Sequence, residues 1–165
     1  MQVNWLIIFV AGLIPVVFGY LWYHPKVFGN LWQTELGLSE DKMKGGNMGL
    51  MMLSMYVFSF IVAFMLQPIV MHQWGLFSLL ENQPGMHDSP PSNPEWIAMM
   101  AKYGTNFRSF GHGVLHGTVL GLFIILPIVR IIFMFEKRSW KYTFVTAGFW
   151  IISLALMGGF ICQYA

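Results

Sequence analysis

Charge is what this sequence has least of. Its nine Lys and Arg and seven Asp and Glu make up 10% of 165 residues, against 56% hydrophobic residues and a mean hydropathy of +0.60. That is too little charge to dress the surface of a soluble domain of this length. No Asp, Glu, Lys or Arg falls in 1–25, 45–80, 109–129 or 142–165. Spans without carboxylate or Lys offer no charged relay, which argues against ion transport through a single copy of the chain. Cysteine is nearly absent too, and Cys162 alone excludes both an intramolecular disulfide and a Cys-based metal cluster. A net charge of +2 with no basic cluster gives no footing for nucleic acid as a partner. No Ser sits in a Gly-x-Ser-x-Gly elbow, and Gly45-Gly46 lacks the Lys-Ser/Thr of a phosphate loop. No catalytic residue is predicted, and the balance is against an enzyme.

What is present is four long apolar runs. A helix rises about 1.5 Å per residue, so about 20 residues cross a hydrocarbon layer roughly 30 Å thick. Barrel strands would instead alternate over about ten residues, and these runs do not. The expected fold is an all-α integral membrane protein, a four-transmembrane-helix bundle with short amphipathic interfacial helices. It forms a single membrane domain, 1–165, with spans at about 3–23, 46–71, 110–133 and 142–163. The first run has no basic n-region and is too long for a signal peptide's apolar core, so it reads as a retained helix, with Pro15 expected to kink it.

Between the first two spans, 25–38 carries Val27, Phe28, Leu31, Trp32 and Leu36 at a spacing that suits an interfacial piece, and Trp22, Tyr23 and Trp32 fit an aromatic belt. Ser39-Glu40-Asp41 reads as a helix N-cap with an acidic first turn. The long loop, 73–108, holds turn chemistry with nothing to bury, from Asn82-Gln83-Pro84-Gly85 to Asp88-Ser89-Pro90-Pro91-Ser92-Asn93-Pro94. Asn93-Pro94-Glu95 then caps a surface helix with Trp96, Met99, Met100 and Tyr103 on one face. Lys26, Lys42, Lys44, Arg130, Lys137, Arg138 and Lys141 lie on one side of the bilayer, Lys102 and Arg108 on the other. That bias predicts cytoplasmic loops at 24–45 and 134–141, with both termini and loop 73–108 outside.

The run Val3-Asn4-Trp5, then Gly19-Tyr20-Leu21-Trp22-Tyr23-His24-Pro25-Lys26-Val27-Phe28-Gly29-Asn30-Leu31-Trp32, resembles the opening of domain-of-unknown-function family 1761, small bacterial membrane proteins. Phe135-Glu136-Lys137-Arg138-Ser139-Trp140 and Ala147-Gly148-Phe149-Trp150 to Met157-Gly158 are similar to that family's last hairpin. The resemblance implies a four-helix protein of the bacterial inner membrane with undefined activity. It suggests structural roles for Gly19, Trp22, Tyr23, Pro25, Phe28 and Gly29, and carries over no catalytic residues.

Within the third span, His112 and His116 lie one turn apart on one face. That spacing suits a metal ion or haem iron, and ionisable groups in a span are functional candidates. Further ligands would have to come from His72, His87 or Asp88, and the charge of Arg108 would oppose a cation at the helix mouth. The alternative is that both imidazoles bond to neighbouring helices. Met71-His72 and Met86-His87 suggest copper only weakly, since Met also fills gaps between helices. Gly113, Gly117 and Gly121 form a small-residue stripe for close helix approach, within the chain or to a second copy. The leading expectation is a structural, accessory or partner-binding membrane subunit, possible as a homo-oligomer, in contact with the lipid bilayer. The rivals are a protein that binds haem, metal or quinone through these histidines, and a small-molecule transporter using uncharged polar groups such as Ser59, Gln67 and Ser153.

Overall fold

The computed structural model describes residues 3–37 and 46–165. Those residues are helical with short connections, and no strand occurs among them. In chain order the helices are α1 (Trp5–Trp22), α2 (Asn30–Leu36), α3 (Met48–Val70), α4 (Gln73–Leu80), α5 (Pro94–Tyr103), α6 (Phe110–Leu120), α7 (Leu126–Phe135) and α8 (Trp140–Tyr164). Four helical segments are long and apolar enough to cross a membrane: α1, α3, the continuous stretch Phe110–Phe135, and α8. They run alternately up and down, and each contains one of the charge-free stretches or most of it, with Arg130 and Lys141 in the cytoplasm-assigned ends of the last two.

The cap expected at Ser39-Glu40-Asp41 lies outside the described residues. Within them, α3 starts where the Asn47 side chain accepts from the Leu50 N–H. Helix α1 continues through Pro15, which is buried. The third span is less regular than its composition predicts. Its middle is a π-helical stretch, Gly121–Ile125, closed by the Leu126 N–H donating to the Gly121 carbonyl. Pro127 follows, and a residue without an N–H leaves a carbonyl one turn earlier unpaired, so a widened turn relieves the ladder there.

Helix α8 is the hub. Half of its most apolar window is buried, against 6% for the third span, so the other helices are arranged around α8 and the third span is mostly peripheral. Ile8 and Ala11 of α1, Ala63, Leu66 and Val70 of α3, and Leu154, Met157, Ile161 and Cys162 of α8 form the shared core. Because lipid is as apolar as these side chains, association in a membrane rests on close packing, and glycine supplies it. A Cβ on Gly113 would lie 2.0 Å from the Gly158 carbonyl oxygen, and one on Gly117 2.1 Å from that of Leu154. Gly121 meets the Ile151 backbone in the same way. The small-residue stripe therefore seats α6 on α8 within one chain.

The residues from Trp22 to Trp32 build the far end of the bundle. The Trp22 indole N–H donates to the Val145 carbonyl at 3.0 Å, and its ring packs on Phe28 with centroids 4.4 Å apart. Tyr23 meets Trp32 edge-on and packs against Phe149. His24 caps the following π-helical turn, Pro25–Gly29, its Nδ1 accepting from the Lys26 N–H. At Gly29 a Cβ would lie 2.3 Å from the Tyr23 carbonyl oxygen, so the fold-back of this turn admits only glycine.

The segment 73–108 is more structured than a loop with nothing to bury. Helix α4 follows α3 directly, and Leu80, Met86 and Trp96 form a small core of their own against α5, joined by Met99 and Met100. The buried Asn93 accepts from the Trp96 N–H through its Oδ1 and donates through Nδ2 to the Pro84 carbonyl. The turn-rich stretch is thus a clasp closing α4 on α5. Of the four residues on the apolar face of α5, Trp96 is buried and Tyr103 is 40% exposed.

Candidate metal centre

Helix α3 ends at Met71, whose extended backbone (φ −114°, ψ 102°) breaks the ladder while its side chain stays in the core. This break turns the chain and delivers His72 to the start of α4. On the other side, Ser109 starts α6 by accepting the His112 N–H on its hydroxyl at 3.3 Å. One turn later His116 follows on the same face. The close seating of Gly113 and Gly117 on α8, between and beside the histidines, fixes how this face is presented.

The consequence is a three-imidazole cluster. Ring centroids are 4.5 Å apart for His112 and His116, 4.9 Å for His72 and His112, and 5.2 Å for His72 and His116. The Nε2 atoms of His72 and His112 are 2.9 Å apart, so one N–H···N bond joins them, and one ligating atom of each ring falls within 4.8 Å of the others. Three imidazoles at about 2.0–2.1 Å from a tetrahedral Zn²⁺ stand roughly 3.3 Å from one another. The ligating atoms, 2.9 Å apart for one pair and within 4.8 Å for all, bracket that spacing. His72 is exposed and the other two half-buried, so the centre is open at the protein surface.

The loop before α6 forms the wall of this cluster. Phe107 takes φ = 60°, a left-handed conformation uncommon for an aromatic residue. Its ring lies 5.6 Å from that of His72 and 5.1 Å from that of His112. Two buried residues hold the loop there. The amide of Gln73 donates to the Tyr103 and Asn106 carbonyls, both at 2.9 Å, and the Cys162 thiol lies 3.2 Å from the Phe107 carbonyl oxygen and 3.3 Å from that of Val70. Replacing Gln73 with Ala strands the Asn106 carbonyl and leaves that of Tyr103 only the Asn106 N–H, which costs about 1–3 kcal/mol locally. Amide hydrogen exchange over 103–109 should accelerate markedly while the spans stay protected.

Arg108 does not confront the cluster as its sequence position suggested. Its guanidinium donates to the Cys162 and Ala165 main-chain oxygens, at the negative end of α8, where a cation is favoured. Of the other sequence candidates, His87 is exposed in the clasp and outside the cluster, and Asp88 accepts from the Ser92 hydroxyl. Met71 and Met86 are buried in separate cores, so the Met-His pairs do not form a joint soft-ligand site. Gln73, Phe107 and Cys162 carried no sequence signal as site residues, because their roles depend on segments that meet only in the folded chain.

Fold and cluster together define an all-α protein with four membrane-spanning helices and an inter-helix histidine cluster at one end. The chain belongs to the family described as protein of unknown function (DUF1761), whose model matches residues 6–162. No curated protein and no solved structure matches it.

Proposed function

We propose that this membrane protein binds one first-row divalent ion, with Zn²⁺ the best match, through His72, His112 and His116. The observation that carries this reading is the convergence of an imidazole from the α3–α4 break with two from α6, all three offering nitrogens within 4.8 Å. The one described hydrogen bond among the rings joins His72 to His112, so a hydrogen-bonded network alone gives His116 no reason to be there. Three neutral nitrogen donors suit Zn²⁺, Cu²⁺, Ni²⁺ or Co²⁺, and three protein ligands leave a position for water or another molecule. Haem fits less well. Axial imidazoles approach iron from opposite faces with nitrogens about 4 Å apart, whereas His72 and His112 touch directly. On our reading of the Lys and Arg bias, this end faces away from the cytoplasm.

The test is to strip the detergent-solubilised chain with a chelator, re-equilibrate it with Zn²⁺, and count metal by elemental analysis. About one equivalent per chain is expected, and substitution with Co²⁺ should give visible bands of low coordination number. No uptake, or equal uptake by a variant lacking all three histidines, would sink the reading. Metal and proton compete for the same lone pair, so affinity should fall as pH is lowered. Equilibrium titrations at several pH values read that slope directly.

A further inference from the structure

At the opposite end of the bundle, a cleft of about 280 Å³ opens between the π-helical turn after α1 and the start of α8, lined by Trp22, Phe28, Leu31, Lys141, Phe144 and Val145. Its walls are apolar and aromatic, and its one charged lining group is a lysine. We infer that this cleft binds an anionic phospholipid, an acyl chain lying between Trp22, Phe28 and Phe144 while the headgroup phosphate meets Lys141 and the N-terminus of α8.

Charge at this end favours that occupant. Arg130 is committed to structure, stacked over Trp140 at 4.1 Å and donating to the Arg138 carbonyl and the Thr143 hydroxyl. Arg138 reaches the Glu35 carbonyl and pairs with Glu136 at 3.8 Å, and the Glu35 carboxylate accepts from Ser139. Lys141 makes no ion pair among the described residues. It lies in the first turn of α8, where Ser139 takes the Tyr142 N–H but the Trp140 and Lys141 N–H groups have no intrahelical acceptor, and where the positive helix dipole also favours phosphate. The depth is right as well. Lys141 sits at the first turn of a spanning helix, beside the half-exposed Trp140, at the level of the bilayer interface. A zwitterionic lipid would fill the cleft equally but would lack the net negative charge that Lys141 rewards, so the site should discriminate by headgroup.

Native mass spectrometry of the full chain in mild detergent, with phosphatidylglycerol or phosphatidylcholine added, reads bound lipid directly. Phosphatidylglycerol should be retained about fivefold more than phosphatidylcholine, the preference one interfacial lysine confers. Lys141→Gln should abolish that preference, and Phe144→Ala, which removes an exposed wall of the cleft, should lower retention of both lipids. Neither side chain is buried, so both variants should keep the wild-type unfolding midpoint. Equal retention of the two lipids by wild type, or an undiminished preference in Lys141→Gln, overturns the headgroup contact. Unchanged retention in Phe144→Ala, or displacement of phosphatidylglycerol by inorganic phosphate, overturns the cleft as the seat of the chain.

Discussion

Replacing His72, His112 or His116 singly with Ala should weaken Zn²⁺ binding by at least about 100-fold, while His87→Ala leaves it unchanged. The magnitude follows from the ligand set. Loss of a group that merely orients a metal ligand costs about 10- to 100-fold, so loss of a ligand from a three-nitrogen site must cost at least the upper end. His72→Ala is the most informative of the three. It leaves the one-turn pair His112 and His116 intact on α6 and removes only the donor brought in from the α3–α4 break. If the pair alone were the site, this variant would bind like wild type, and the three-histidine reading would fail. Stability supplies an independent readout. A ligand at 100 times its Kd stabilises the folded state by about 2.7 kcal/mol, so saturating Zn²⁺ should raise the unfolding midpoint of wild type and of His87→Ala but not of the three ligand variants. Isothermal titration and thermal unfolding in the same detergent check both arms.

The fold class was legible because a membrane imposes a coarse rule: charge is expelled from long stretches, and four such stretches are plain in the sequence. The connections obey finer rules. Nothing in the pattern of 73–108 marks Met86 as buried, because its partners Leu80 and Trp96 lie on two separate short helices whose docking the sequence does not state. The π-helical stretch at Gly121–Ile125 was foreshadowed only by Pro127, a residue equally consistent with a simple kink. The histidines show the same division. His112 and His116 are paired by helix periodicity alone, whereas His72 is 40 residues away, and its arrival depends on Met71 breaking α3 at the right residue. Without that third donor, two imidazoles weigh little against a purely structural protein; with it, the donor number equals the three protein ligands of an open zinc site. Arg108 shows the same limit, since its acceptors belong to the end of α8 and sequence proximity to His112 says nothing of them.

Gly117→Ala should be among the most damaging single-methyl additions to this chain, and Gly111→Ala, six residues earlier on the same helix, should be harmless. The added Cβ at 117 would fall 2.1 Å from the Leu154 carbonyl oxygen, a rigid main-chain atom in the central helix, so α6 and α8 must move apart by roughly 1 Å to restore contact distance. Forced expansion of a packed core costs about 1–3 kcal/mol, and the atom met here is main chain that no rotamer change can move aside, so the upper end applies. At Gly111 a Cβ would meet nothing within 4 Å, and replacing Gly by Ala inside a helix gains up to about 1 kcal/mol, so the sign reverses. The shift at 117 should also reach the histidines. His116 precedes Gly117 directly, and a displacement of about 1 Å is several times the tolerance of about 0.2 Å on a metal–ligand distance. Gly117→Ala should therefore lose both stability and Zn²⁺ affinity, and Gly111→Ala neither. Denaturant titration followed by tryptophan fluorescence, paired with Zn²⁺ binding on the same samples, separates the two effects. A Gly117→Ala variant as stable as wild type would mean that α6 and α8 are less tightly seated than these contacts require.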